Sequence, residues 1–243
     1  MKAIFLLFSV AWATSFAADT PKPKYGPNAK TLHEAHDYFR SHAAPDYWAI
    51  APYYVPQFND RACSVASVTM VLNAARKDWK LSADDALITQ QTLLDKPGLE
   101  TWKKAVGDGG KGVTLDELGG YVEKAFQAAG FTKVETEIVH FKDTSPTSLK
   151  KLREILNSNE KSERSFVIIN FLQGIYTGDA DIGHIAPIGT YDSGKKSALV
   201  MDPDRSWYVP YWVSDEVLLK GMATADPGSG KNRGLVWIKG FIR

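Results

Sequence analysis

Three stretches of the chain place apolar residues at the spacing of an amphipathic helix. Residues 63–76 carry a broad apolar stripe, and residues 114–129 and 147–158 show the same periodicity. Thr114 and Glu117 have the spacing of a capping box, in which each side chain binds a free backbone N–H of the other at a helix start. The pattern therefore predicts three helices, the second of which begins next to Thr114.

Three runs in the second half of the chain are rich in apolar and β-branched residues, as β-strands are. They are residues 166–172, which are almost continuously apolar, residues 198–201 and residues 235–242. Helical stretches come first along the chain and strand-like runs follow. This order predicts an α+β fold with a helical lobe followed by a separate antiparallel sheet lobe.

The segment ahead of the first predicted helix is more polar. Residues 18–44 form a lead-in that is rich in Pro and Lys at its start and contains a short solvated helix over residues 30–42. His33 and His36 are one helical turn apart on it, so a metal site is conceivable, although a polar helix face is the commoner explanation. Residues 45–58 hold aromatic residues among prolines and are predicted to be an extended surface segment.

Composition limits the classes of function. The chain has 243 residues with 44% hydrophobic and 23% charged residues, which suits one sizeable core or a two-lobed domain. Its formal net charge is +1, so no strong field draws it to nucleic acid or to an anionic membrane. A single cysteine excludes an intrachain disulfide and any metal site built from several cysteines.

The N-terminus has the features of a secretory signal. Lys2 precedes an uncharged, mostly apolar run over residues 3–18, which is short for a membrane span. Ser15 and Ala17 supply the small residues of a cleavage site, so residues 1–17 are predicted to be removed and the protein to be exported, periplasmic or secreted. An uncleaved membrane anchor is the alternative. After removal of the signal, no membrane attachment is expected.

The lone cysteine is the first candidate for chemistry. Cys63 stands at the start of the first predicted helix, where unpaired N–H groups and the helix dipole favour a thiolate. Gln57, six residues earlier, has an amide that can donate to an oxyanion. Downstream, His184 can act as acid and base, and Asp202 follows the 198–201 strand and can orient the imidazole if the two strands are antiparallel neighbours. Each residue could also have a purely structural role, such as a buried thiol, a structural histidine or part of a turn. Their order along the chain, however, is that of a papain-like site.

Two glycine-rich stretches complete the set of local motifs. Residues 107–112 and 228–234 each contain Gly-Lys but lack the upstream glycine and the following Ser or Thr of a phosphate-binding loop. Both are predicted to be ordinary loops.

The sequence around these four residues resembles phytochelatin synthase in its short bacterial form. The matching stretches are QFNDRACSVASVTMVLNA (57–74), GVTLDELGGYV (112–122), SFVIINFL (165–172), GHIAPIGTYD (183–192), LVMDPDR (199–205) and NRGLVWI (232–238). The resemblance is to the catalytic domain and does not include the cysteine-rich C-terminal region of the plant enzymes. It implies a papain-like cysteine peptidase fold over residues 45–243 and action on glutathione.

The resemblance also implies roles for individual residues. Cys63 would attack the Cys-Gly amide of glutathione, His184 would protonate the departing glycine, Asp202 would orient His184, and Gln57 would donate to the oxyanion. The γ-glutamylcysteinyl thioester would then pass to water or to a second glutathione. Arg233 matches an arginine suited to the γ-glutamyl carboxylate, with a surface arginine as the equal alternative. No intrinsic cofactor is expected, since a heavy metal (Cd or Zn) would arrive as a glutathione thiolate complex, and a homodimer is left open.

Three positions depart from the family pattern. Ser64 replaces the usual glycine after the nucleophile, Ile182 replaces a glycine before Gly-His, and Gln173 stands where a basic residue is common. The last change favours hydrolysis over phytochelatin synthesis. Two other functions compete: a papain-like protease for double-glycine leader peptides, and a non-catalytic protein that binds a thiol or a metal complex.

Overall fold

A computed structural model describes residues 23–243, so the predicted signal segment 1–17 and the start of the lead-in lie outside the described residues. The α-helices of the described part are α1 (Tyr38–Ser41), α2 (Pro45–Ile50), α3 (Cys63–Ala75), α4 (Gln90–Leu94), α5 (Glu100–Val106), α6 (Leu115–Ala128), α7 (Pro146–Glu160), α8 (Gln173–Thr177) and α9 (Asp215–Met222). The strands are β1 (Ala29–Thr31), β2 (Lys133–His140), β3 (Phe166–Leu172), β4 (Gly183–Asp192), β5 (Ser197–Val200), β6 (Tyr211–Ser214), β7 (Ala225–Asp226), β8 (Lys231–Asn232) and β9 (Gly234–Ile242). Short 3-10 helices cover Leu32–Glu34 and Ala51–Tyr53.

One antiparallel sheet of seven strands organises the molecule, in the order β1-β6-β5-β4-β3-β9-β2. The fold is therefore α+β, as the sequence predicts. The expected antiparallel pairing of β4 with β5 is present, with Ile188 opposite Val200. Strands β7 and β8 form a separate hairpin.

The central strand β3 is buried on both faces, which explains its almost continuous apolar sequence. Phe166 and Ile168 point into a core shared with α3, α5 and α6. Val167 and Ile169 point into a second core, shared with α7, α8 and α9. Helices thus cover both faces of the sheet, and α7 to α9 alternate with strands along the chain, rather than all preceding the sheet as the sequence pattern suggested.

The strongly periodic segments form the predicted elements. The three predicted helices appear as α3, α6 and α7, and the capping box is confirmed, since Thr114 and Glu117 each bind the backbone N–H of the other. No helix within residues 23–243 has the length and apolar character of a membrane span.

Two predictions for the N-terminal part are wrong. Residues 30–42 are not one helix, because residues 29–31 pair with β6 as an edge strand, leaving only a 3-10 turn and the four-residue α1. Residues 45–58 are not wholly extended, because Pro45 at the first position of α2 presets the helical φ angle. The helix start at Pro45 and the pairing of residues 29–31 with β6 therefore determine the structure of this part, whereas its mixed aromatic and proline composition suggested another one.

Helix α3 is the element that positions the candidate site. Every one of its residues is buried, and it packs against β4. The Ser67 hydroxyl, one turn into α3, lies 2.7 Å from the Cys63 carbonyl oxygen and 3.1 Å from the Ile185 carbonyl oxygen. This contact joins the beginning of the helix to the beginning of β4.

Candidate active site

Cys63 is the first residue of α3, with 9% of its surface exposed. Ala62 precedes it and has no side chain able to cap the helix, so the first backbone N–H groups stay available near the sulfur. These N–H groups and the positive end of the helix dipole place partial positive charge beside the cysteine.

His184 and Asp202 form a buried pair next to this cysteine. The His184 Nε2 lies 2.7 Å from Asp202 Oδ1, and the two residues are 3% and 0% exposed. His184 is the second residue of β4, whereas Asp202 lies just after β5, the antiparallel neighbour of β4. Because Nε2 is held by the carboxylate, Nδ1 is the ring nitrogen left for the hydrogen bond with Cys63.

The charges of this pair support each other. Burial opposes the charged imidazolium, but the Asp202 carboxylate, with a smaller contribution from Cys63, raises the pKa of His184 well above its ordinary value. Burial likewise opposes ionisation of Asp202, but His184 and hydrogen-bond donors hold the pKa of Asp202 below its ordinary value. The arrangement therefore favours an imidazolium beside an anionic carboxylate, which is the state that stabilises a neighbouring thiolate.

Gln57 lies on the extended segment that leads into α3. Its backbone N–H donates to the Pro203 carbonyl oxygen at 2.8 Å, which joins this segment to the turn that carries Asp202. The side-chain Oε1 is buried and has no hydrogen-bond partner among the described residues. The structure thus places the backbone of Gln57 beside the turn that follows Asp202. The side-chain oxygen of Gln57 forms no hydrogen bond within the described residues.

A cavity of about 210 Å³ opens at Cys63. It is lined by residues from the segment before α3, the start of α3, the loop before α6, strands β3 and β4, the β7–β8 hairpin and the position before β9: Asp60, Arg61, Cys63, Lys111, Gly112, Val113, Asn170, Gly183, Ile185, Asp226 and Arg233. The register of the sheet creates this convergence, since Asn170 of β3 pairs with Ile185 on one side and with Gly234 on the other.

Arg233 lines this cavity and is 5% exposed, so it is not a surface arginine. Its Nη1 donates to Thr224 Oγ1 at 3.2 Å and to the Ala225 carbonyl oxygen. Its buried Nε has no partner within residues 23–243. Burial lowers the pKa of Arg233, against the opposing charge of Asp226. A buried guanidinium with an unused donor is suited to bind a carboxylate brought by a ligand.

Gly183 makes room for this arginine. A Cβ built at Gly183 would lie 2.9 Å from Arg233 Nη2, closer than real Cβ contacts. Any larger residue directly before His184 would therefore displace the guanidinium. Because His184 directly follows Gly183, the candidate base His184 and the candidate carboxylate-binding residue Arg233 lie close together.

The sequence analysis missed several lining residues. Asn170 carried a usable signal, because it is the one amide in an otherwise apolar strand, and its buried Oδ1 lacks a partner in the described part of the chain. Asp226 and Lys111 carried no such signal beyond their glycine-rich surroundings. These loops are brought to Cys63 only by the fold.

The three departures from the family pattern have structural outcomes. The Ser64 hydroxyl accepts a hydrogen bond from Trp102 Nε1 at 2.9 Å and does not line the cavity. Ile182 and the buried Gln173 line a second cavity, of about 200 Å³. The Gln173 Nε2 has no partner among residues 23–243.

Metal-binding groups are not concentrated in this region. No group of three or more His, Cys, Asp or Glu residues suited to a metal ion occurs between residues 23 and 243. His33 and His36 are both exposed, and His36 contacts Asp37 and Arg40.

Comparisons with known proteins show which proteins this chain is similar to. The family model described as phytochelatin synthase matches residues 28–235. Glutathione gamma-glutamylcysteinyltransferase 1 of Arabidopsis thaliana is 27% identical over 198 residues, which cover 79% of this chain and 36% of the plant protein. The protein of the same name in Lotus japonicus is 29% identical over 200 residues, covering 79% and 35% of the two chains. A glutathione gamma-glutamylcysteinyltransferase of Schizosaccharomyces pombe is 25% identical over 200 residues, covering 80% and 43%. The chain thus spans about a third of the length of the two plant relatives.

Proposed function

Because the chain belongs to the phytochelatin synthase family, we propose that it is a thiol enzyme that cleaves the Cys-Gly bond of glutathione. One observation carries this proposal: Cys63, beside the buried His184–Asp202 pair, lines a cavity that is also lined by Arg233, whose Nε has no partner among the described residues. A papain-like arrangement of the two halves of the fold is part of the same proposal.

The reaction begins with the Cys63 thiolate. It attacks the carbonyl carbon of the Cys-Gly amide, and the Gln57 amide donates to the oxyanion that forms. The imidazolium of His184 gives its proton to the amine of glycine as the C–N bond breaks. The products of this half-reaction are free glycine and a γ-glutamylcysteinyl thioester on Cys63, with His184 neutral and ready to act as base.

The γ-glutamyl group fits the charges of the cavity. Arg233 would pair with its α-carboxylate through the donors that the protein leaves unused. Asp226 lines the same cavity and would pair with the α-ammonium. The opposite charges of Arg233 and Asp226 in the lining match the zwitterionic end of glutathione and provide a reason to select a γ-linked glutamate over an ordinary peptide.

Hydrolysis of the thioester would dominate over transfer. The second cavity, lined by Gln173 and Ile182, is the nearest candidate for an acceptor site because Ile182 lies two residues before His184. Its charged lining residues within the described chain, Asp179 and Asp204, are both acidic. An acceptor glutathione carries two carboxylates, so this cavity would hold it weakly and water would compete well.

Heavy metal enters the proposal as part of the substrate. Cadmium or zinc would be bound by glutathione thiolates, and the metal–glutathione complex would be an acceptor or a source of acyl groups. Export of the protein, predicted from residues 1–17, would place this reaction outside the cytoplasm.

The test is to incubate the purified protein with millimolar glutathione and to quantify glycine and γ-glutamylcysteine by mass spectrometry, with Cys63→Ala as the matched control. Release of both products by the wild type alone supports the proposal. Cleavage of a double-glycine leader peptide without action on glutathione would assign the chain to the protease function instead. Glutathione binding by calorimetry with no glycine release from either protein would indicate a binding protein.

A further inference from the structure

Asp202 is held at four points in a fully buried position. Its Oδ1 accepts from His184 Nε2 at 2.7 Å and from the Asp204 backbone N–H at 2.8 Å. Its Oδ2 accepts from the Tyr211 hydroxyl at 2.9 Å. The Tyr54 hydroxyl donates to its backbone carbonyl oxygen. The hydrogen bond from Tyr211 is the one that fixes the second carboxylate oxygen.

Tyr211 is itself rigidly placed. It is the first residue of β6, pairs with Val200 of β5, and is 0% exposed. Tyr25 and Tyr208 pack against its ring at centroid distances of 6.0 Å. Burial, with the nearby Asp202 charge, raises the pKa of Tyr211 well above its ordinary value. The phenol therefore remains protonated and acts as a donor throughout the working pH range.

We propose that Tyr211 is a positioning residue, which holds the Asp202 carboxylate ionised and directs Oδ1 at His184. It would act on the reaction only through Asp202 and His184, because Tyr211 does not line the cavity at Cys63. This inference rests on the proposed function for its kinetic consequences but not for its effect on Cys63.

Loss of the hydroxyl has a defined physical result. Oδ2 of Asp202 would become a buried charged acceptor without a donor, which is costly in an apolar environment. The hydrogen bond from Tyr211 contributes to lowering the pKa of Asp202, so its removal raises that pKa. The Tyr211 hydroxyl also offsets part of the negative charge that Asp202 presents to His184, so its loss raises the pKa of His184, and the imidazolium beside Cys63 is then lost at a higher pH.

The experiment is the pH dependence of Cys63 alkylation by iodoacetamide, which needs no substrate and reports a single thiol. In Tyr211→Phe the upper transition of the alkylation profile, at which His184 loses its proton, is expected to move to higher pH by about one unit. With glutathione, kcat is expected to fall roughly 10-fold with KM unchanged. Tyr176→Phe is the matched control, since its buried hydroxyl donates to the Leu218 carbonyl oxygen, and its alkylation profile should equal that of the wild type.

A second variant has the opposite expectation. Replacing Tyr211 by 3-fluorotyrosine gives a stronger donor of nearly the same size and should move this upper transition to lower pH. If Tyr211→Phe does not fold, the 3-fluorotyrosine variant alone tests the proposal. An upper transition that superimposes on that of the wild type in the folded variants overturns the proposal. If glutathione is not the substrate, glycine release fails in every protein while the alkylation shifts persist, so the two failures are distinguishable.

Discussion

His184 Nε2 and Asp202 Oδ1 lie 2.7 Å apart in the protein interior, although the residues are 18 positions apart in the chain. Pairing of β4 with β5 brings them together, and because Asp202 holds Nε2, it leaves Nδ1 of the imidazole to interact with Cys63. The geometry thus assigns different partners to the two ring nitrogens, which allows one histidine to be oriented by a carboxylate while it exchanges a proton with a thiol.

Replacing Cys63 by Ala is expected to abolish glycine release, because the chain has no other thiol to carry the acyl group. In the wild type, rapid acid quenching during turnover should trap one γ-glutamylcysteinyl group per protein, visible by intact-protein mass spectrometry. Peptide mapping should place it on Cys63. Residual activity above a tenth of the wild type in Cys63→Ala would contradict the thioester mechanism.

Replacing Gln57 by Ala is expected to lower kcat for glycine release on the order of 10²-fold, as for a lost oxyanion donor. Folding should be little affected, because the backbone N–H that binds Pro203 is retained. Gln91→Ala, which removes an exposed glutamine bonded to Asp95, is the control. A normal kcat with an increased KM would instead make Gln57 a residue that binds substrate.

Arg233→Lys is expected to reduce kcat/KM for glutathione by roughly 10- to 100-fold, because lysine cannot reproduce the fork of donors that a carboxylate accepts. The same pair of proteins should be compared on a glutathione analogue that lacks the α-carboxylate of the γ-glutamyl residue. With the analogue, wild type and variant should be equal. An equal loss on both substrates would show that Arg233 acts through its contacts with Thr224 and Ala225.

The balance of products is expected to favour hydrolysis. With millimolar glutathione and sub-stoichiometric cadmium, mass spectrometry should find γ-glutamylcysteine and glycine as the main products and little phytochelatin. The reason is the acidic lining of the cavity next to Gln173. If oligomers of two or more γ-glutamylcysteine units carry most of the consumed glutathione, the chain is a synthase rather than a hydrolase.

Asp46→Asn is expected to stabilise the protein at neutral pH and not at low pH. Asp46 is 1% exposed, and burial, with the nearby Glu160, raises its pKa well above the ordinary 3.8. A raised folded-state pKa means that the stability contribution of protonated Asp46 is complete below about pH 4 and is lost as pH rises through the folded-state value. The variant avoids this loss, which amounts to about 1.4 kcal/mol for each pH unit that separates the folded-state pKa from the unfolded-state pKa.

The measurement for Asp46 is urea unfolding of both proteins at about pH 4 and pH 8. Asp37→Asn serves as the control, since the Asp37 side chain is 80% exposed. An equal change in the free energy of unfolding at both pH values would show that the effect of Asp46→Asn does not come from ionisation.

The sequence predicts those parts of the molecule that local patterns determine. Helix α6 is set by its capping box, and β3 by a run of apolar residues that both faces of a covered sheet require. Helix α2 was missed because its proline and aromatic content resembles an extended segment, whereas Pro45 starts a helix.

The residues of the candidate site likewise include some that the sequence could predict and some that it could not. The order of Cys63, His184 and Asp202 along the chain could be noticed, since each sits beside a recognisable element. Tyr211 could not, because its contact with Asp202 depends on the β5–β6 pairing and on the path of a loop between them. Whether Arg233 is buried or exposed was likewise undetermined until the turn before β9 was placed.

The tight fit of Gly183 against Arg233 has an evolutionary consequence. A side chain at position 183 would push the Arg233 guanidinium out of its place, and shortening position 233 would remove the charge that the γ-glutamyl carboxylate would meet. The two positions should therefore covary among relatives, and a lineage that changes its substrate at this site should change both together.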